Sequence, residues 1–202
     1  MQKLFTKFID LLFPLSIEEK MIQSVTPATI KTLYSPNIYR NITYLYRYSE
    51  KIVQTAIIEN KFHNNPQANK LLGRMLNQWV SRQPYNIILI PIPLGSKRLR
   101  QRGHNQVETI LKECKTKFPV NNTILKRIIE TKPQSKLQRK QRNDNVKNIF
   151  ACTSDINNIP ANSHLVLVDD VVTTGATLLS AKSTLMKHLP ISVTVSCIAV
   201  AH

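Results

Sequence analysis

Apolar residues fall along this chain in two rhythms. Leu4, Phe5, Phe8, Ile9, Leu12 and Phe13 recur at helical spacing until Pro14 ends the run, which predicts an amphipathic helix over 1–13. Residues 14–40 are mixed, with Pro14, Pro27 and Pro36 as punctuation and room for a short helix at 17–24. Ile52, Val53, Ala56 and Ile57 give 47–59 a helical pattern. The segment "NNPQAN" (64–69) reads as a turn and helix start, and Leu71, Leu72, Met75, Leu76 and Trp79 carry that helix over 67–82. The rhythm then changes. "NIILIPIPL" (86–94) is a continuous β-branched run of the kind found in strands buried on both faces. A loop with Gly95 and Gly103 follows, and then a helix over about 104–117 with Val107, Ile110, Leu111 and Cys114 inward. "TILKRII" (123–129) is a weaker strand, 131–147 is polar and basic, and "HLVLVDD" (164–170) is a strong strand. A helix at 176–188 and a last strand, "SVTVSCIAVA" (192–201), complete the pattern.

Strand and helix alternating at this spacing predict an α/β fold: a mainly parallel sheet with right-handed crossovers and helices on both faces. Ligands of such sheets sit beyond the carboxyl ends of the strands. Gly95 with the run "KRLRQR" (97–102) follows one strand, and Asp169 to Thr177 follow another, so both loops are expected on one edge. The 202 residues suffice for one buried domain with an appendage, drawn here as an N-terminal helical segment 1–44 and a domain 45–202.

Charge narrows the partners. The net charge is +16 and the pI near 10.0, which favours nucleic acid, phosphorylated small molecules or an anionic membrane surface without choosing among them. Residues 126–147 hold eight cations against Glu130 and Asp144. No apolar run approaches the roughly 18 residues of a membrane span. Asp10 interrupts the first apolar stretch and no small-residue cleavage site follows it, so that stretch does not read as a signal peptide. Cys114, Cys152 and Cys197 are few and far apart, which argues against a disulfide framework or a structural zinc site and for reduced thiols in the cytoplasm.

The chemistry concentrates in "LVLVDDVVTTGATL" (165–178). Two adjacent carboxylates at the end of a buried strand repel each other unless a cation or hydrogen-bond donors meet them. Thr173, Thr174, Gly175, Ala176 and Thr177 are small, three of them carry hydroxyls, and the helix after them turns its free N–H groups and positive end toward the loop. Neither a Gly-Lys-Ser/Thr triphosphate loop nor the three spaced glycines of a dinucleotide site is present. A phosphate at the loop with two acceptors beside it matches a ribose 5-phosphate. By themselves the two acids could equally bind Mg²⁺ or serve as a cap and a surface charge.

The stretch resembles the phosphoribosyl-pyrophosphate (PRPP) signature of type I phosphoribosyltransferases. That resemblance implies Asp169 and Asp170 on the ribose 2- and 3-hydroxyls, Thr173 to Thr177 around the 5-phosphate, and Gly95, Ser96, Lys97 and Arg98 at the diphosphate. "RGHNQVETIL" (102–111) is similar to the Arg-Gly-Phe-Asn-Gln motif of the ComF family of competence-associated proteins, with His104 where Phe is usual. Arg102, Gly103, Asn105, Gln106, Arg127, Thr131, Gln134 and Asn145 fall at the family's positions. The family's four-cysteine zinc site has no counterpart in "LSIEEKMIQSVTPATIKTLY", so no zinc is expected. The resemblance implies a cytoplasmic protein that binds PRPP with Mg²⁺, held mainly through the ligand and touched, if at all, by Asp169 and Asp170. It further implies transfer of the phosphoribosyl group to an unidentified acceptor, with Lys136, Arg139 and Arg142 of a flexible basic flap (131–147) joining the acid pair in catalysis. Its setting would be natural competence, with single-stranded DNA and a competence helicase as partners. A nucleic-acid-handling accessory that keeps the PRPP site for regulation is the alternative.

Overall fold

The computed structural model describes residues 15–83, 87–129 and 149–202. The helix expected over 1–13 and the basic flap 131–147 lie outside these residues, and with them Thr131, Gln134, Lys136, Arg139, Arg142 and Asn145.

Two short helices, α1 (Ile17–Gln23) and α2 (Pro27–Leu33), open the described chain. Ser16 and Glu19 form a reciprocal capping box on the first, and Thr26 caps the second with Pro27 at its first turn. A hairpin of β1 (Asn37–Tyr39) and β2 (Ile42–Tyr46) follows. Then come α3 (Lys51–Ile58), which runs into a π-helical turn (Glu59–His63), and α4 (Pro66–Val80). After β3 (Ile87–Pro91) stand α5 (Ser96–Arg102) and α6 (Gln106–Glu113), then β4 (Leu125–Arg127) and β5 (Phe150–Cys152). The chain closes with a 3₁₀ turn (Ser154–Asn158), β6 (His164–Val171), α7 (Ala176–Met186) and β7 (Thr194–Ala201).

The central sheet has the order β1-β2-β7-β6-β3. Its β2–β7, β6–β7 and β3–β6 pairs are parallel and only the β1–β2 pair is antiparallel. This is the expected mostly parallel α/β architecture flanked by helices. Three expectations are corrected. The hairpin β1–β2 was not foreseen; its strands are short, and β1 is largely exposed, so neither shows a long apolar run. The strand at 123–129 shrinks to Leu125–Arg127 and pairs with β5 in a separate two-stranded sheet. The stretch after Gly95 is a helix, not an open loop. The first 44 residues and those from 45 onward also share one sheet, because β2 spans that position and pairs with β7.

Strand alternation divides the core into two layers. Val166, Val168, Ile198 and Val200 face a layer built with α1, α2, α3, α4 and α6. Leu165, Leu167, Cys197 and Ala199 face the other, with α7 and the small sheet. Period-2 geometry makes this unavoidable, and it carries through to the acids at the end of β6.

Candidate functional site

The two loops singled out in the sequence do open on one edge. β3 pairs with β6 as far as Pro91 against Val168, and the Ile92 amide continues the ladder to the Val168 carbonyl (3.0 Å). Asn105 donates its side-chain N–H to the Ile92 carbonyl (3.1 Å) and caps α6 through the Val107 amide (3.0 Å). The "RGHNQ" motif is thereby fastened to the strand end beside the acid pair. Arg102 reaches Gln106 Oε1 (3.0 Å), and Gly103 closes α5 with a φ of +74°.

Alternation along β6 sends Asp169 and Asp170 to different sides. Asp170, on the Val166/Val168 face, is 3% exposed, and its Oδ2 lies 2.9 Å from the Lys61 ammonium. Asp169, on the face of Cys197, is half-buried. Each carboxylate also accepts the amide of the next residue: Asp170 N–H to Asp169 Oδ1 (2.9 Å) and Val171 N–H to Asp170 Oδ1 (2.8 Å). The picture of two equal acceptors side by side is thus corrected. One acid is already paired within the protein.

Lys61 had no signal in the sequence. It lies in the π-helical turn after α3, where an extra residue re-aims the side chains, and such turns concentrate at functional sites. Asn64 ends the turn at a φ of +47°. Asn60, fully buried, donates to Asn69 Oδ1 (2.7 Å) and Thr109 Oγ1 (2.8 Å) and so anchors the turn to α4 and α6. His104, standing where Phe is usual, puts one ring nitrogen 2.8 Å from the Asn60 carbonyl and the other 2.8 Å from that of Arg102. The family motif and the Lys61 turn are therefore one assembly.

The electrostatics follow from this. Burial pushes the Asp169 carboxyl up to about 8, and the Asp170 charge adds to the rise. Burial would raise Asp170 too, but the Lys61 charge and hydrogen bond outweigh it and hold Asp170 below the carboxylate range. Burial pulls Lys61 down, while Asp170 and, more weakly, Asp169 lift it above its ordinary value. Arg102 sits in the field of both acids, yet burial leaves it lowered.

Asp169 therefore keeps its proton more firmly in the folded chain than in the unfolded one. Its contribution to stability is full below the ordinary value of 3.8 and is lost as pH climbs through about 8. Asp169→Asn, which cannot ionise, is expected to be more stable than the parent at pH 8. The margin, about 1–2 kcal/mol once partial exposure is allowed for, should vanish toward pH 4. Thermal unfolding at both pH values checks this, and an advantage that grew on acidification would contradict it.

The loop after the acids is a left-handed bend opening α7. Gly175 has a φ of +78°, Thr174 is buried, and Thr173 is exposed. Thr174 Oγ1 accepts from the Ala176 amide at 3.4 Å. A second residue absent from the sequence reading appears here. Arg40, in the β1–β2 turn where Arg40 and Asn41 both have positive φ, donates to the Thr174 carbonyl (3.3 Å). Its guanidinium lies over Tyr39, which stacks on His202, and His202 Nδ1 contacts the Val172 carbonyl (2.9 Å). A tight Arg-Asn turn on an unforeseen hairpin thus sets a cation on the rim of the phosphate-type loop.

Other predicted residues stand apart. Arg127, on β4, lies over Phe150 and donates to the Ile129 carbonyl. Gly95 is the N-cap of α5, with Ser96, Lys97 and Arg98 in its first turn. A cavity of about 680 Å³ lies between α1, α4 and α6, lined by Lys70, Arg74 and Lys115 among others, and takes in neither acid nor the Thr/Gly loop. Among the described residues no three acidic, His or Cys side chains cluster as a metal site, and no helix is long and apolar enough to cross a membrane.

The chain is 34% identical over 126 residues to competence protein F of Haemophilus influenzae, covering 58% of this chain and 55% of that protein. The chain is thus similar to proteins named for competence. Competence protein ComFC of Bacillus subtilis is 33% identical over 94 residues, covering 46% of this chain and 35% of that protein. DNA utilization protein YhgH of Salmonella typhi is 27% identical over 146 residues, covering 68% and 63%. The chain spans less than two thirds of the length of each of these relatives. No protein-family model matches it. Among solved structures, adenine phosphoribosyltransferase from Leishmania tarentolae aligns over 83% of this chain and 94% of its own, at 14% identity and a TM-score of 0.44. The allosteric regulatory enzyme of purine biosynthesis aligns over 70% and 30%, at 16% and 0.40. The fold is defined by the sheet order and parallel crossovers of the chain itself.

Proposed function

We propose that this chain binds phosphoribosyl pyrophosphate, arriving with Mg²⁺, in the setting of natural competence and DNA uptake, and that it passes the phosphoribosyl group to an acceptor still to be identified. The observation that carries this reading is the juxtaposition at the end of β6. A half-buried carboxylate, Asp169, lies near the end of β6, and a left-handed Thr/Gly bend that opens α7 follows the strand. Asp169 would accept a sugar hydroxyl. Thr173 to Thr177 would take the 5-phosphate through backbone N–H groups, hydroxyls and the positive end of α7, with Arg40 beside them. The first turn of α5, with Lys97 and Arg98, faces the same sheet edge and would meet the diphosphate.

Mg²⁺, when bound with the ligand, supplies charge neutralisation on the departing diphosphate. The chain's own residues orient the sugar and hold its phosphate. The names of its relatives, competence and DNA utilization, place those proteins in the handling of DNA, and we infer the same setting for this one. A nucleic-acid-binding accessory is the second reading, favoured by the charge of +16.

Calorimetric titration with phosphoribosyl pyrophosphate and Mg²⁺ tests the first reading. Saturable binding that disappears in Asp169→Asn/Asp170→Asn is expected. Absence of binding in the parent chain, together with an affinity for single-stranded DNA that falls steeply with salt and ignores the double substitution, would favour the second reading instead.

A further inference from the structure

The acid pair does not have the form of a protein-held metal site. Asp170 Oδ2 is taken by the Lys61 ammonium at 2.9 Å, with the carboxylate side chain 5% and the lysine side chain 23% exposed. Asp170 Oδ1 and Asp169 Oδ1 each accept a backbone amide. Arg102 adds a second positive charge in the field of both carboxylates. The Asp170 charge is therefore already met by Lys61. A divalent ion bound directly to Asp170 would sit a few ångströms from Lys61 in a poorly hydrated setting, where repulsion between like charges is strong.

Lys61 cannot easily step aside. Its turn is pinned from three directions: Asn60 to Asn69 and Thr109, the Asn60 carbonyl to His104, and the Asn65 amide to the Glu59 carbonyl (3.2 Å). The scaffold holds one ammonium against one carboxylate at the edge where the ligand is expected.

We propose that Lys61 is the resident cation of this site, occupying Asp170 in place of a divalent metal, so that the acid pair itself holds no metal ion. Lys61 is a positioning residue in this scheme. It keeps Asp170 ionised and fixed, leaves Asp169 as the carboxylate open to a sugar hydroxyl, and sets a positive charge beside the incoming diphosphate. The inference rests on the donor-site reading for the identity of that ligand, but its test uses the metal alone, so the two can fail separately.

The test is titration of the full chain with Mn²⁺, with no phosphoribosyl pyrophosphate present, read by loss of the free-ion electron paramagnetic resonance signal. The parent and Lys61→Arg, which keeps the charge, are expected to take up no Mn²⁺ at this site. Lys61→Met should bind it at least roughly tenfold more tightly than the parent. Adding Asp170→Asn to Lys61→Met should abolish the gain, which separates the acid pair from adventitious surface sites. Lys61→Gln, which can still donate to Asp170 without a charge, serves if the methionine variant does not fold, and should also gain the ion. Mn²⁺ binding by the parent that is lost in Asp170→Asn would overturn the proposal. So would neutral variants at 61 that fold and gain nothing.

Discussion

Asp170→Ala is expected to lower the unfolding free energy by about 3 kcal/mol and to abolish ligand binding at the end of β6. The substitution removes one member of an ion pair whose lysine side chain is only 23% exposed. An ammonium left there has lost its counter-charge and most of its water. The usual cost of breaking such a pair is about 3–5 kcal/mol, and the residual exposure of Lys61 puts this case at the lower end. The loss also removes the acceptor for the Val171 amide. Asp170→Asn retains a polar partner and should cost visibly less. Denaturant unfolding of the two variants side by side measures the difference. A loss below about 1 kcal/mol for the alanine variant would mean that the pair behaves as a solvated surface contact.

Gly175→Ala should disable the phosphate-type loop. At a φ of +78° a side chain strains the backbone, and a Cβ there would lie 2.7 Å from Ile42 Cδ1. Ile42 is fully buried in β2, so it has little room to yield. The backbone strain costs about 1–2 kcal/mol, and relief of the contact must displace either the loop or the strand. Gly103→Ala is the matched control: its φ is +74°, yet nothing lies within 4 Å of the added carbon. Both variants should lose stability through the backbone term, but only Gly175→Ala should weaken binding of ribose 5-phosphate, by roughly tenfold or more. Equal affinities in the two variants would show that the bend at Gly175 does not hold the phosphate.

Arg40 and Lys61 show how a site can be half legible. Asp169, Asp170 and Thr173 to Thr177 lie within nine positions, and a strand–bend–helix pattern brackets them, so their placement could be read locally. Asn105 and Gln106 were visible as motif residues; in the structure Asn105 ties α6 to the end of β3, and Gln106 accepts from Arg102. Lys61 is 109 positions before its carboxylate and Arg40 is 134 before the carbonyl it touches, so no spacing rule connects them. The only local hints were the "NKFHNN" stretch, in which Asn64 takes a left-handed conformation, and the Arg40–Asn41 turn. Either could pass for ordinary loop chemistry.

By itself the chain's pattern determined the α/β class, the strands β3, β6 and β7, the helices α4, α6 and α7, and the edge on which the two loops open. Long apolar or helical periodicities encode burial directly, and they survive whatever packs against them. Only the tertiary structure decided that the hairpin β1–β2 extends the sheet beside β7, that β4 leaves it, and that the two acids divide between two faces with one of them already paired to Lys61. Such pairings join groups far apart in sequence. Their energies depend on distance and dielectric, which exist only once the chain has folded.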